Sequence, residues 1–145
     1  MPKHFTIEQA GRLIPRLQEL VRDAMARNAG YREAERASVS STGRIMMMGG
    51  MTVDRASAID ARARRDSAAT QLRESLDAIQ QLGCLVKDLE VGLADFPTLY
   101  RGREVFLCWK LGETAIGFWH GVDEGFAGRK AIDRDFLEHH GGESD

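Results

Sequence analysis

The sequence predicts an α+β fold, in which a long antiparallel helical hairpin packs with a small antiparallel β-meander. Two observations lead to this prediction. Apolar residues recur at steps of three and four through most of the first 83 residues, which is the spacing of one face of a helix. After Gly83 short runs of branched and aromatic residues alternate with glycines, and eight of the ten aromatic residues lie there. The second half can therefore form a dense core, with the helices covering one face of a small sheet.

A chain of 145 residues has the length of one domain, and we expect residues 1–145 to form a single domain. Within it we predict a helical hairpin over residues 5–83, a β-rich unit over 84–135 and a tail over 136–145. We expect the tail to be disordered, because its adjacent histidines, His139 and His140, are followed by two glycines.

The first helix is predicted to begin at Thr6, whose side chain can cap the Gln9 amide while the Gln9 side chain reaches back. It should run to about Arg36. Pro15 lies inside it and predicts a kink or a restarted first turn. One apolar seam follows the helix and consists of Ile7, Ala10, Ile14, Leu17, Val21, Ala24, Asn28 and Tyr31.

Residues 38–52 combine small, polar and glycine positions and are predicted to form a mobile connection. The methionines between Met46 and Met51 could bind a soft metal such as Cu(I), or they could form a flexible apolar contact. A second helix is then predicted over residues 54–82, with Gly83 as its stop. Its inner side is expected to carry Ile59, Ala69, Leu72, Leu76, Ile79 and Leu82.

Charge and composition exclude several classes of function. Arginines on the second helix alternate with acidic residues and have no aromatic residues nearby for base stacking, so we expect no nucleic-acid partner. No glycine-rich phosphate loop occurs, which leaves nucleotide binding without support. No run of about 18 apolar residues and no leader-like start is present, so we expect a cytoplasmic protein without a membrane partner. Two cysteines are too few for a disulfide framework.

Residues 103–110 and 113–120 are rich in branched and aromatic side chains and are separated by Leu111 and Gly112, which predicts a β-hairpin. Residues 84–90 are expected to supply a third strand. Residues 92–97 and 98–102 are expected to form the connection between that strand and the hairpin.

Two registers of this hairpin are open from the sequence. With a two-residue turn, Val105 faces Phe118 and His120 falls on the apolar side. With a bulge at Gly112 and a three-residue turn, the pairing slips by one and His120 joins the face of Glu104 and Cys108. The register therefore decides which polar groups can meet His120.

Four motifs in the second half, together with the start of the first helix, are similar to those of a small bacterial family known only as a domain of unknown function. The motifs are GLxDFP at 92–97, GREVxLCWxxGE at 102–113, WH at 119–120 and GFAGR at 125–129. The resemblance covers roughly residues 4–135. It implies the same fold boundary and a cytoplasmic location, and it supplies no catalytic residues.

The acidic second half offers oxygen ligands, one histidine nitrogen and one possible sulfur at Cys108, and zinc or iron accepts such a mixture. The candidate metal ligands are Glu90, Asp95, Glu104, Glu113 and His120. Arg103 and Arg129 are candidates for binding a cofactor or a small anion. Each of these side chains could instead have only a structural role, and Cys108 is interpreted as a buried strand cysteine rather than a nucleophile with His120 as its base.

Two functions remain open from the sequence. The first is a divalent-metal-binding or anion-binding protein with its site on the C-terminal β-hairpin. The second is a non-enzymatic scaffold, in which the helical hairpins of two copies form a homodimer through a four-helix bundle.

Overall fold

The computed structural model describes residues 4–47 and 52–141, and the side chains within 4–40 and 55–141. Two long helices and an antiparallel sheet form the chain, so the predicted α+β class is confirmed. Within the described residues no helix is long and apolar enough to cross a membrane.

Helix α1 spans Ile7–Met47 and begins as predicted. The Gln9 amide donates to the Thr6 hydroxyl oxygen over 3.1 Å, and the Thr6 amide donates to the Gln9 side-chain oxygen over 2.9 Å. These two bonds form a capping box that satisfies free amides of the first turn. The helix continues through Pro15, whose side chain is exposed.

The predicted connection over residues 38–52 is wrong for residues 38–47, because α1 continues through them. This stretch lacks proline, and its interior Gly43 lowers helix stability by only about 1 kcal/mol, so nothing in it ends the helix. Residues 48–51 and the methionine side chains between Met46 and Met51 lie outside the described part. Helix α2 spans Thr52–Gln81 and is followed at Gly83 by a φ of +97°, which suits glycine.

The predicted seam of α1 is buried where it meets the core, at Ala10, Ile14, Leu17, Val21 and Ala24. On α2 Ile79 is fully buried as predicted, but the expected inward position of Ile59 is wrong, since 71% of it is exposed. The facing sides of the two helices are lined in that region by small residues, Ala34 and Ala37 on α1 and Ala61 on α2.

Within the described residues six strands form one antiparallel sheet. They are β1 (Leu85–Asp88), β2 (Leu93–Tyr100), β3 (Arg103–Lys110), β4 (Phe118–Gly121), β5 (Lys130–Ala131) and β6 (His140–Gly141). The order is β1-β2-β3-β4-β5, and β6 pairs with β2. One face of the sheet packs into the core through its largest fully buried side chains, which include Phe96, Leu107 and Trp109.

Strand β2 corrects the expectation that residues 92–102 are a connection. Pro97 argues against a central strand because it cannot donate to a ladder. Here the Pro97 carbonyl accepts from the Phe5 amide over 2.7 Å, in the gap between the pairings of β2 with β1 and with β6. No strand amide is needed at that point, so the proline is tolerated in the middle of the sheet.

The predicted hairpin is also corrected, because residues 111–117 form a loop and β4 begins only at Phe118. Glu113 folds back on the end of β3: its carboxylate accepts from the Lys110 amide over 2.8 Å, and its carbonyl accepts from the Trp109 indole over 2.9 Å. These two hydrogen bonds take the place of the strand-to-strand hydrogen bonds that a tight turn would allow. His120 pairs with Phe106, so the pairing differs from both predicted registers, by three residues from the two-residue turn and by two from the bulged turn. His120 nevertheless lies on the face of Cys108, as the bulged turn predicted.

The expected disorder of the tail is wrong for residues 136–141. Helix α3 spans Arg134–His139, with Asp133 capping the Phe136 amide over 2.8 Å, and β6 follows it. Phe136 is fully buried and stacks with Trp119 and His140. Its ring anchors the segment, whereas residues 142–145 lie outside the described part.

The chain divides into two compact units. One comprises residues 1–22 and 77–145 and contains the sheet, and the other comprises residues 23–76 and contains the remaining parts of α1 and α2. The prediction of a single domain stays a prediction.

Candidate metal centre

Three neighbouring strands place three potential metal ligands on the same face of the sheet. Asp95 of β2 lies directly opposite Cys108 of β3, and His120 of β4 lies opposite Phe106, two residues along β3 from Cys108. Residues two apart on a strand share a face, and diagonal neighbours on adjacent strands are within reach of one another. The antiparallel register therefore brings the three side chains together.

The geometry of this cluster is compact. One ligand atom each from Asp95, Cys108 and His120 lies within 4.8 Å of the other two. The three residues are 1%, 2% and 5% exposed, respectively. Charged groups so far from water are retained when they are paired or bind a metal.

Hydrogen bonds fix the orientation of the His120 ring. Its Nδ1 lies 2.8 Å from the Gly121 carbonyl oxygen, and its Nε2 lies 2.8 Å from Oδ2 of Asp95. A carbonyl only accepts, so Nδ1 carries a proton. A second proton is shared between Nε2 and the Asp95 carboxylate, since two acceptors at that distance need one between them.

Burial sets the protonation of the other two groups. It raises the pKa of Asp95, although the nearby His120 opposes that rise. Burial, assisted by the charge of Asp95, raises the pKa of the Cys108 thiol to about 11. A thiol that stays protonated near neutral pH is a poor nucleophile, and a metal bound here would have to displace its proton.

The three ligands line one cavity of about 240 Å³. Its remaining walls combine apolar side chains with two charged ones, and they are formed by Lys87, Leu93, Phe106, Val122, Glu124, Gly125 and Phe126. A bound ion would therefore face a small space that a further ligand can enter.

The other predicted metal ligands lie elsewhere. Glu113 accepts from Nη2 of Arg129 over 3.0 Å, and Glu104 is exposed and contacts Nε2 of His4 at 2.9 Å. Glu90 is exposed in the turn between β1 and β2. Of the five acidic and histidine candidates, the structure brings together Asp95 and His120.

The two predicted anion-binding arginines have different surroundings. The Arg129 guanidinium lies between the rings of Phe118 and Phe126, at 3.8 and 4.7 Å, and its Nη2 donates to the Cys108 carbonyl over 3.2 Å. Arg103 is exposed and lines a neighbouring cavity of about 570 Å³, which shares Val122 and Glu124 with the first. Arg129 therefore holds the loop after β4 against β3, next to the candidate metal centre.

The sequence suggested Cys108 as a possible sulfur ligand but did not place it among the metal candidates. The missing signal was strand β2, since Asp95 was assigned to a connection. An eight-residue strand from Leu93 followed by the two-residue turn at Arg101 and Gly102 would have placed Asp95 opposite Cys108.

Comparison with protein families gives one match. Residues 3–132 match the model of a family described as an uncharacterized conserved protein, DUF2203. No curated protein and no solved structure matches the chain. Because the match covers most of its length, the chain belongs to the DUF2203 family of uncharacterized conserved proteins.

Proposed function

We propose that this protein binds one divalent transition metal ion, zinc or iron, through Asp95, Cys108 and His120. The observation that supports the proposal is the convergence of a carboxylate, a thiol and an imidazole, all buried, within 4.8 Å of one another at the wall of a cavity. Zinc accepts this combination of oxygen, sulfur and nitrogen ligands.

The orientation of His120 suits ligation. A histidine that binds a metal through one nitrogen usually donates the other N–H to a carbonyl or carboxylate, which fixes the tautomer. Nδ1 of His120 already donates to the Gly121 carbonyl. Nε2 is therefore the ligating atom, and the metal takes the place of the proton shared with Asp95.

Between Asp95 and His120 only a small adjustment is needed to admit an ion. Nε2 of His120 and Oδ2 of Asp95 are 2.8 Å apart. Metal bonds of about 2.0–2.2 Å in tetrahedral geometry separate such ligand atoms by about 3.3 Å. Small side-chain rotations that move the two atoms apart by about half an ångström provide that separation.

The number of ligands indicates a centre with an open position. Structural zinc sites have four protein ligands, whereas catalytic sites have three plus a water or substrate. Within the described residues this cluster offers three, and its remaining side faces the cavity. The centre therefore has the form of a site that binds or activates a small molecule.

Metal content tests the proposal directly. Untagged protein should carry close to one equivalent of metal by elemental analysis, and Cys108→Ser should reduce that content at least tenfold, with Asp95→Asn and His120→Gln doing the same. Cys84 gives the matched control, because it is equally buried but lies outside the cluster. Cys84→Ser should keep the metal.

Circular dichroism identifies any variant that fails to fold. Metal retained by folded Cys108→Ser at the wild-type level would overturn the proposal, as would wild-type protein that takes up neither zinc nor iron. Glu113→Gln should leave metal content unchanged, because Glu113 binds Arg129 rather than the cluster.

The helical unit of residues 23–76 supports a second candidate function, a scaffold that dimerises through its helices. Of the side chains described in this unit, Ala24 is the buried apolar one, while Val39 and Ile59 are 66% and 71% exposed. Long helices gain most of their stability by packing an apolar face. We propose that the helices of a second copy supply that packing in a four-helix bundle.

Light scattering at micromolar concentration should then give the mass of a dimer. Ile59→Lys and Val39→Lys should reduce the measured mass to that of the monomer. Leu137→Lys, which alters an exposed leucine of the sheet-containing unit, should leave the mass unchanged. A monomeric wild-type protein would contradict the scaffold and leave the metal proposal standing.

A further inference from the structure

We propose that the cavity beside the metal centre binds a small monocarboxylate with an apolar body, whose carboxylate bridges the open position of the metal and the Lys87 ammonium. The inference rests on the proposed metal site and names the class of ligand that this site accepts.

Lys87 is the first observation that supports an anionic ligand. Its side chain lines the same cavity as Asp95, Cys108 and His120, and its Nζ lies 5.2 Å from the centre of the Phe106 ring. Within the described residues it forms no salt bridge. Lys87 is exposed, and its charge acts on the carboxylate of Asp95. The cavity wall therefore carries a cationic group with no directly bound counter-charge.

The backbone directs Lys87 to this position. The pairing of β1 with β2 is regular at Val86 and Ala94 and shifts before Asp88, so that Lys87 occupies a β-bulge. Bulges re-aim a side chain and are common beside functional sites. The β-bulge therefore coincides with the cationic residue of the cavity wall, Lys87.

The charge balance favours a monoanion over a dianion. A divalent ion bound by the Asp95 carboxylate, the Cys108 thiolate and a neutral His120 has no net charge. Glu124, the other acidic residue of the cavity wall, is paired with Lys130 and also accepts from the Gly121 amide over 2.8 Å. Lys87 therefore leaves one uncompensated positive charge.

The walls and the size define the rest of the ligand. Leu93, Phe106, Val122 and Phe126 form the apolar part of the lining. The volume of about 240 Å³ lies below the range of about 300–1,000 Å³ for drug-sized ligands. The ligand is consequently a small molecule with a short aliphatic chain or a single ring beside its carboxylate.

Cobalt-substituted protein provides the test, because the visible absorption of Co²⁺ responds to a change in its ligands. The metal-loaded protein is titrated with propionate, benzoate, benzyl alcohol and inorganic phosphate. We expect a saturable spectral change with either carboxylate, and at least tenfold weaker responses to the neutral alcohol and to phosphate.

Lys87→Met keeps the length of the side chain and removes its charge, so it should weaken carboxylate binding at least tenfold at unchanged cobalt content. Arg103→Met is the matched control, because Arg103 lines the other cavity. The Arg103→Met variant should bind the carboxylates as tightly as the wild type does.

Three results overturn the inference alone: cobalt that binds but does not respond to either carboxylate, Lys87→Met that binds them as tightly as the wild type, or phosphate that binds more tightly than both. Protein that takes up no metal overturns the inference together with the proposed function. The two failures are therefore distinguishable by cobalt content.

Discussion

Asp95 and His120 are both removed from water, so each polar atom of the pair needs a partner inside the protein. His120 uses Nδ1 on the Gly121 carbonyl and Nε2 on Asp95. Asp95 also lies directly opposite Cys108 on β3. Asp95 and His120 therefore satisfy each other, and substitutions separate this structural role from the proposed metal binding.

Asp95→Asn should lower the free energy of unfolding of the metal-free protein by less than about 1 kcal/mol, because the amide can donate to Nε2 of His120. Asp95→Leu leaves that buried nitrogen without a partner and should lower the free energy of unfolding by about 1–3 kcal/mol. Urea denaturation of both variants measures the difference. Equal destabilisation would show that Asp95 acts by its shape rather than by this hydrogen bond.

Residue identity alone could name Asp95 and His120 as ligands but could not pair them. The direction of a strand side chain depends on the register, and the register of β3 and β4 depends on a loop of seven residues, 111–117. That loop is held by the bonds of Glu113 to Lys110 and Trp109, which sequence patterns do not reveal. Three glutamates consequently looked as suitable as Asp95.

Among the elements, the two long helices were predictable apart from residues 38–47 of α1, whereas α3 and strand β2 were not. The capping box at Thr6 and the glycine stop at Gly83 depend on adjacent residues, so the sequence locates them. Strand β2 depends on long-range contacts: Pro97 meets the Phe5 amide from before α1, and Tyr100 pairs with His140 of β6. Local residue preferences therefore predict a loop where the structure has strand β2.

The turn between β2 and β3 requires glycine for its backbone angle. Arg101 and Gly102 have φ values of +52° and +80°, and a β-carbon added at Gly102 would meet no atom within 4 Å. Gly102→Ala should therefore destabilise the protein by about 1–2 kcal/mol through conformational strain alone.

Gly117→Ala is the matched control for this turn, because Gly117 is also exposed with open space around it and has no positive φ. Thermal unfolding should show a lower midpoint for Gly102→Ala only. Equal midpoints for the two variants would contradict the role of the left-handed angle.

The helical unit of residues 23–76 depends on polar contacts between its helices. The Ser75 hydroxyl of α2 donates to Asp23 of α1 over 2.8 Å, and Arg27 donates to the same carboxylate. The hydrogen bond from Ser75 has the largest effect and, with the bond from Arg27, holds the pKa of Asp23 below its usual value of 3.8.

A lowered pKa in the folded state stabilises the protein above the unfolded pKa, and this contribution disappears as the pH falls through the folded pKa. Asp23→Asn should therefore melt at a lower temperature than the wild type at about pH 6, with the difference shrinking towards about pH 3. Ser75→Ala should reduce the pH dependence in the same window. A constant difference across it would contradict the assignment.

Across the whole molecule, apolar burial is distributed unevenly between the two units. The fully buried aromatic side chains Phe5, Phe96, Trp109 and Phe136 all belong to the sheet-containing unit. The described side chains of residues 23–76 are buried mainly at small positions, Ala24, Ser38 and Ser75. Local stability follows burial, so the helical unit should open at a lower free energy than the sheet.

Hydrogen exchange measured by mass spectrometry tests this difference. In dilute protein the amides of residues 55–76 should exchange at least about tenfold faster than those of β2 and β3, because fewer apolar contacts oppose their opening. Protection of the helices that rises with protein concentration would indicate that a second copy covers them, since binding to the folded state raises apparent stability by mass action. Protection equal to that of the sheet, at every concentration, would mean that alanine packing and polar contacts suffice for the helical pair.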